Sequence, residues 1–320
     1  MFIGTVIKST GSWYLVRPDE TPGEVWQCRI KGKFRLDDVP LTNPVAVGDQ
    51  VQVQEEPSEA PHQGIIDKIL PRRNYVVRQS PRRKHDLHLL AANIDQAVLI
   101  VTVVHPNLKP GFIDRFLVMT ERDEIPATII FNKADLYTEE DLAVYAEMKA
   151  VYNKIGYGTL LTSVAEGGGL DAFRLLLEGK TTLLSGQSGV GKSSLVNAVQ
   201  PRLVLRTGDI SDYSGKGQHT TTFAEMFELD FGARIIDTPG IKLLGFNNKD
   251  KHNIAHSFRE FFRLSEQCRF GGQCLHVNEP GCAVHEALRQ GEVSELRYTN
   301  YLTLLDEVED QHYWERHREY

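Results

Sequence analysis

Gly186-Gln187-Ser188-Gly189-Val190-Gly191-Lys192-Ser193 has the spacing of a loop that cradles phosphates. It follows an apolar strand ending at Leu184 and precedes a helical stretch over Gly191 to Val199, the setting such a loop needs. In that setting backbone N–H groups and the helix N-terminus face the phosphates, Lys192 reaches the β/γ-phosphates, and Ser193 places its hydroxyl on Mg²⁺. Ser194 belongs to the same nucleotide-binding run.

The base is read elsewhere, by Asn132-Lys133-Ala134-Asp135 at the end of an expected strand over Ala127 to Phe131. Asp135 can accept hydrogen bonds from guanine N1–H and N2–H. Adenine would leave that carboxylate unpaired, and discrimination of this kind reaches roughly 10⁴-fold. Thr162-Ser163, after the expected strand Gly158 to Leu161, stand where a second loop could close over the base and offer N–H groups to guanine O6. The same pair also reads as a helix N-cap.

Asp237-Thr238-Pro239-Gly240 follows the strand Ala233 to Ile236. Asp237 is expected to hold a water on Mg²⁺, and the Gly240 N–H to bond the γ-phosphate and lose that contact on hydrolysis. The loop Gly215 to Thr222 supplies a second Mg²⁺ ligand, Thr222 or else Thr221. Ile241 stands where many GTPases carry the glutamine that orients the attacking water, and an apolar side chain cannot do that. His219 is the best replacement, so the expected catalytic residues are His219 and Lys192. The guanine-reading tetrapeptide also precedes the phosphate loop, the reverse of the common order, which a circular permutation accommodates.

Cys268-x₅-Cys274-x-His276-x₅-Cys282 supplies three thiolates and an imidazole, the set that closes a tetrahedral, structural Zn²⁺ site. Cys28 stands apart, and His285 reads as a helix residue.

These groups need a scaffold. The chain has 320 residues, 41% hydrophobic and 25% charged, which excludes disordered, collagen-like and membrane-embedded classes. Its longest apolar run, Ala97 to Val104, is far below the roughly 18 residues of a membrane span. With no secretory leader visible, the cytoplasm is the expected compartment. The formal net charge of −7 requires any nucleic-acid contact to come from local patches.

Residues 1–72 read as short strands closing a small β-barrel of the OB-fold type, a fold that often holds RNA and can also serve as a protein-docking module. Trp13, Tyr14 and Trp26 are stacking platforms or, more commonly in so small a barrel, core. Residues 73–94 read as a basic linker: the run from Pro71 to His88 carries Arg72, Arg73, Arg78, Arg82, Arg83 and Lys84 against Asp86. Over 95–245, strands alternate with helices, as in a central α/β P-loop GTPase domain with a mostly parallel sheet. Residues 246–320 read as a mainly helical zinc-binding domain.

The barrel, Ala92-Asn93-Ile94-Asp95-Gln96, the four nucleotide motifs and the cysteine segment together resemble the circularly permuted bacterial GTPases stimulated by the small ribosomal subunit, the RsgA or YjeQ family. The resemblance covers essentially the whole chain. It implies a GTPase acting late in 30S assembly, turning GTP into GDP and phosphate, with barrel and zinc domain contacting 16S rRNA. It also implies that hydrolysis releases the protein and that His219 is the catalytic histidine. The chain departs in Gln218, where related sequences often have Arg, and in the five residues between Cys268 and Cys274. The competing reading is a GTP-gated RNA-binding scaffold in which occupancy, not turnover, is the signal. A P-loop kinase is disfavoured by Asn132 to Asp135. Nothing in the sequence demands a dimer, so a monomer is expected.

Overall fold

The computed structural model describes residues 1–31, 43–56, 61–79, 87–201, 224–237 and 251–316. Five strands, β1 (Phe2–Ser9), β2 (Tyr14–Pro18), β3 (Trp26–Ile30), β4 (Gln50–Glu55) and β5 (Gln63–Ile69), run in the order β1-β2-β3-β5-β4. β4 pairs back to β1 and closes the barrel. Period-2 alternation turns Val6, Tyr14, Val16, Cys28, Val51, Val53 and Ile66 inward to form its core. Tyr14 is therefore a core residue, Trp26 packs half-buried against Phe2 and His62, and Trp13 is exposed.

The segment read as a basic linker is, where described, an antiparallel hairpin of β6 (Tyr75–Gln79) and β7 (Leu87–Ala92). Val76 of β6 and Leu89 to Ala92 of β7 are buried. Arg72 grips the fully buried Asp49 with two nitrogens, at 2.6 and 2.7 Å, and Arg73 pairs with Asp95 at 2.7 Å. These two cations serve the fold; Arg82, Arg83 and Lys84 lie outside the described residues.

The central sheet comprises β8 (Gln96–Val101), β9 (Ala127–Phe131), β10 (Gly158–Leu161), β11 (Thr181–Gly186), β12 (Glu225–Glu228) and β13 (Arg234–Asp237), ordered β10-β9-β8-β11-β13-β12. All pairs are parallel except β12–β13. β8 is buried at every position because helices cover both faces. On one face Leu99 and Val101 pack with Ile113 and Phe116 of α1 (Pro110–Arg122), with α2 (Glu139–Lys154) contributing Met148 and Tyr152. On the other, Val98 and Ile100 pack with α3 (Leu170–Leu177) and α4 (Lys192–Val199). Parallel strands bring their carboxyl ends to one edge, where ligands bind in such sheets.

The C-terminal region holds α5 (Lys251–His256), α6 (Arg259–Ser265), α7 (Ala283–Arg289) and α8 (Glu295–Arg316) around its own core of Phe258, Phe261, Tyr301, Leu304 and the three cysteines. It is anchored to α1. Arg297, 1% exposed, donates to Asp114 and to both oxygens of Glu260, while Tyr152 and Asn300 also donate to Asp114. Arg259 pairs with Glu121 at the far end of α1. Among the described residues no helix is long and apolar enough to cross a membrane.

Candidate functional site

The phosphate loop links β11 to α4, and its glycines are dictated by crowding. A Cβ on Gly186 would lie 2.3 Å from the Ile100 carbonyl, and one on Gly191 would lie 2.5 Å from Asn132 Nδ2; both residues have positive φ, +154° and +92°. Lys192 is 4% exposed, and its ammonium donates to the loop carbonyls of Gly186 and Gln187 at 2.9 and 2.8 Å. The positive charge is thus held inside the curl of the loop. Ser193 is buried at the start of α4, beneath the same loop.

Asn132 joins the two motifs. Its amide donates to the Val190 carbonyl at 2.9 Å, and its Oδ1 accepts from Thr162 Oγ1 at 2.9 Å. Lys133 takes a left-handed conformation, φ +66°, and donates to the His105 carbonyl at 2.7 Å. Asp135, on the exposed side of the turn, accepts from Ser163 Oγ at 2.6 Å, which fixes the carboxylate direction. The Thr162 N–H donates to Phe131 and the Ser163 N–H to Gly168. These two N–H groups are engaged within the fold, and the pair's hydroxyls hold Asn132 and Asp135.

Asp237 ends β13, buried, in register with Leu184 of β11, the strand that feeds the phosphate loop. Four expected site residues, His219, Thr221, Thr222 and Gly240, lie outside the described residues.

Tyr137 was not legible as a site residue. Its hydroxyl donates to the Asn132 carbonyl at 2.9 Å and accepts from the Val103 N–H at 3.0 Å, bridging the guanine loop to the end of β8. Burial pushes its phenol up to about 12, so it stays a donor.

The cysteine segment assembles a compact donor set. Cys268, Cys274, His276 and Cys282 are buried, with ligand atoms all within 4.8 Å of one another. His276 Nδ1 lies 3.7 Å from Cys268 Sγ and 3.4 Å from Cys282 Sγ. The edges of a tetrahedron with metal–ligand distances of about 2.0–2.3 Å are about 3.5–3.8 Å, so the set fits one four-coordinate ion. Burial lowers the imidazole to about 4, keeping it neutral as a ligand must be, and pushes Cys274 up to about 12. Such thiols ionise on coordination. The Glu279 carboxylate accepts N–H bonds from Leu275, Val277 and Asn278, shaping the loop between ligands. His285 is no ligand: its Nε2 lies 2.9 Å from the His276 carbonyl.

A guanine-reading turn clasped to a phosphate loop, on a parallel sheet whose base-reading strands come first in the chain, defines a circularly permuted guanine-nucleotide-binding P-loop domain, here carrying a five-stranded barrel and a Cys₃His module. The model of the RsgA GTPase family matches residues 69–247 and that of the RsgA N-terminal domain residues 3–66. A Bacteroides thetaiotaomicron protein named small ribosomal subunit biogenesis GTPase RsgA 2 is 47% identical, covering 97% of this chain and 98% of its own. The Phocaeicola vulgatus protein named small ribosomal subunit biogenesis GTPase RsgA is 46% identical over 97% of this chain and 98% of its own. Among solved structures, YjeQ from Thermotoga maritima superposes with a TM-score of 0.76 at 36% identity, covering 96% of this chain and 98% of that one. YloQ, described as a circularly permuted GTPase, gives 0.72 at 31% identity, covering 97% of this chain and 96% of that one. The chain belongs to the RsgA GTPase family.

Proposed function

We propose that this protein hydrolyses GTP to GDP and phosphate, binds the 30S ribosomal subunit and assists its late assembly, with hydrolysis stimulated by the subunit. The observation that supports the reading most is the hydrogen bond from Asn132 to the Val190 carbonyl, which ties the turn that carries Asp135 to the phosphate loop. Relatives named for small-subunit biogenesis, matching over nearly the full length, support the cellular role.

In this reading Asp135 binds the base, and the N–H groups of residues 186–194 and Lys192 bind the phosphates. Mg²⁺, when bound, neutralises charge on the β- and γ-phosphates. Ser193 and Thr222 (or Thr221) would hold it directly and Asp237 through water. The Gly240 N–H senses the γ-phosphate, and His219 orients the attacking water. The Cys₃His cluster holds one Zn²⁺, a structural ion because all four positions are filled by protein. The domain division we propose is a barrel over 1–72, a connecting segment over 73–94, the GTPase domain over 95–245 and the zinc domain over 246–320. The protein acts as a cytoplasmic monomer, with barrel and zinc domain on 16S rRNA.

The test is GTP hydrolysis at fixed salt with and without purified 30S subunits, with 50S subunits as control. Strong stimulation by 30S alone is expected, and His219→Ala should abolish it while leaving GTP binding intact. Absence of stimulation, or equal stimulation by 50S, would overturn the reading. If His219→Ala still supports assembly in cells, occupancy is the signal and the protein is a GTP-gated scaffold.

Metal analysis of the purified chain should give one zinc per molecule. Cys268→Ser or Cys282→Ser should lose the ion and, with it, cooperative unfolding of α5 to α8 followed by circular dichroism. A variant that keeps stoichiometric zinc would remove these cysteines from the ligand set.

A further inference from the structure

The barrel meets the central sheet along a narrow seam. β1 runs antiparallel to the edge strand β12 through one ladder position, Lys8 opposite Glu225. The Lys8 ammonium lies 2.9 Å from Glu225 Oε2, and Arg17 of β2 pairs with Glu228 at the other end of β12. Ile7 shares an apolar cluster with Ala224, Met226 and Ile236. The seam is continuous in backbone and core, and its charged pairs are partly buried, the side chains 31% and 39% exposed in the first and 22% and 46% in the second. Partly buried pairs are screened by salt less than fully exposed ones, so both can hold β12 against the barrel.

Its position in the ladder gives it a role. Lys8 is in register with Glu225, Glu225 with Asp237, and Asp237 with Leu184 of the strand that enters the phosphate loop. One row of residues therefore crosses from the barrel to the phosphate site. At about 4.8 Å per strand, Lys8 is roughly 10 Å from Asp237.

We propose that Lys8 and Arg17 are positioning residues for stimulated hydrolysis. By holding Glu225 and Glu228 they fix β12, and through it Asp237 of the neighbouring strand. Engagement of the barrel by RNA is thereby felt at the phosphates. The inference rests on the reading of the chain as a GTPase stimulated by the 30S subunit.

A charge swap in the full chain tests it. Lys8→Glu, Glu225→Lys and the double variant are compared for thermal unfolding, GTP affinity, basal hydrolysis, binding to 30S subunits with a non-hydrolysable GTP analogue, and hydrolysis at saturating 30S. Each single variant should keep basal hydrolysis and GTP affinity, lose about 5- to 10-fold of the stimulated rate, and regain most of it in the double variant. Arg17→Met, which removes a charge without creating repulsion, should show a smaller loss of the same kind. A stimulated rate unchanged in Lys8→Glu overturns the proposal. So does a loss that the double variant fails to restore while subunit binding also weakens, because Lys8 would then be a direct RNA contact. Failure of the underlying reading is separate and visible first: the unaltered chain would show no 30S stimulation.

Discussion

Asp135→Asn should weaken GTP binding by about 10³- to 10⁴-fold and create a preference for xanthosine triphosphate. In the proposed reading the carboxylate accepts two hydrogen bonds from the guanine edge, and Ser163 Oγ, donating at 2.6 Å, fixes its direction. Asparagine offers one acceptor and one donor. Guanine presents donors at N1 and N2, so the substituted amide meets one of them with its own N–H and leaves both unpaired. Xanthine keeps N1–H but carries a carbonyl at C2, which restores complementarity. Competition against labelled GDP measures both effects. Wild-type GTP affinity in the variant would remove Asp135 from the base site. Ser163→Ala should act in the same assay by only about 5-fold, the loss of one hydrogen bond that orients rather than reads.

Arg297→Met should destabilise the protein by about 3–5 kcal/mol, the cost of leaving buried carboxylates without their cation. Arg297 is 1% exposed, and it faces Asp114 from α1 and Glu260 from α6. Burial drives the Asp114 pKa upward, and the guanidinium, Asn300 and Tyr152 oppose that rise. Without the guanidinium the two acids must protonate, repel or part. Since Asp114 belongs to the central domain and Glu260 to the C-terminal one, parting means detachment of α6 and α8 from α1. Urea denaturation reads the stability, and hydrogen exchange along α1 and α8 reads the detachment. Arg297→Met with Asp114→Asn and Glu260→Gln should recover a good part of the loss, because no buried charge remains. An unchanged denaturation midpoint in the single variant would show that the network carries no stability.

What could be read from the sequence was what is local. The phosphate loop, the guanine turn and the Cys₃His set each lie within at most fifteen consecutive residues, and their glycines, carboxylates and thiols leave few other uses. The central strands and helices followed from apolar runs with clear ends; β9 spans Ala127–Phe131 as expected. What escaped depends on partners far along the chain. Arg297 finds Asp114 across 183 residues and Lys8 finds Glu225 across 217, and no period or spacing encodes such pairings. The hairpin β6–β7 was hidden by its charge. The cations between Arg78 and Lys84 masked the alternation of Tyr75-Val76-Val77 and its partner strand, so a structured segment read as a linker. Tyr137 carried no signal, since an aromatic residue before a helix is ordinarily core. The hydroxyl pair Thr162-Ser163 was found, but only side-chain geometry shows that it braces Asn132 and Asp135.

The closure of the barrel bears on how the chain is made. β1 waits for β12 across 217 residues, and at about 5–20 residues per second of synthesis that interval is roughly 10–40 s. An open sheet emerging first would spend that time offering an unpaired edge to neighbouring nascent chains. Here β4 pairs with β1 over Phe2 to Thr5 long before β12 exists, and the order β1-β2-β3-β5-β4 returns on itself. Only the stretch around Lys8 remains for β12, too short to template aggregation. The barrel can thus fold and wait, and strands β8 to β10 are made before the phosphate loop appears.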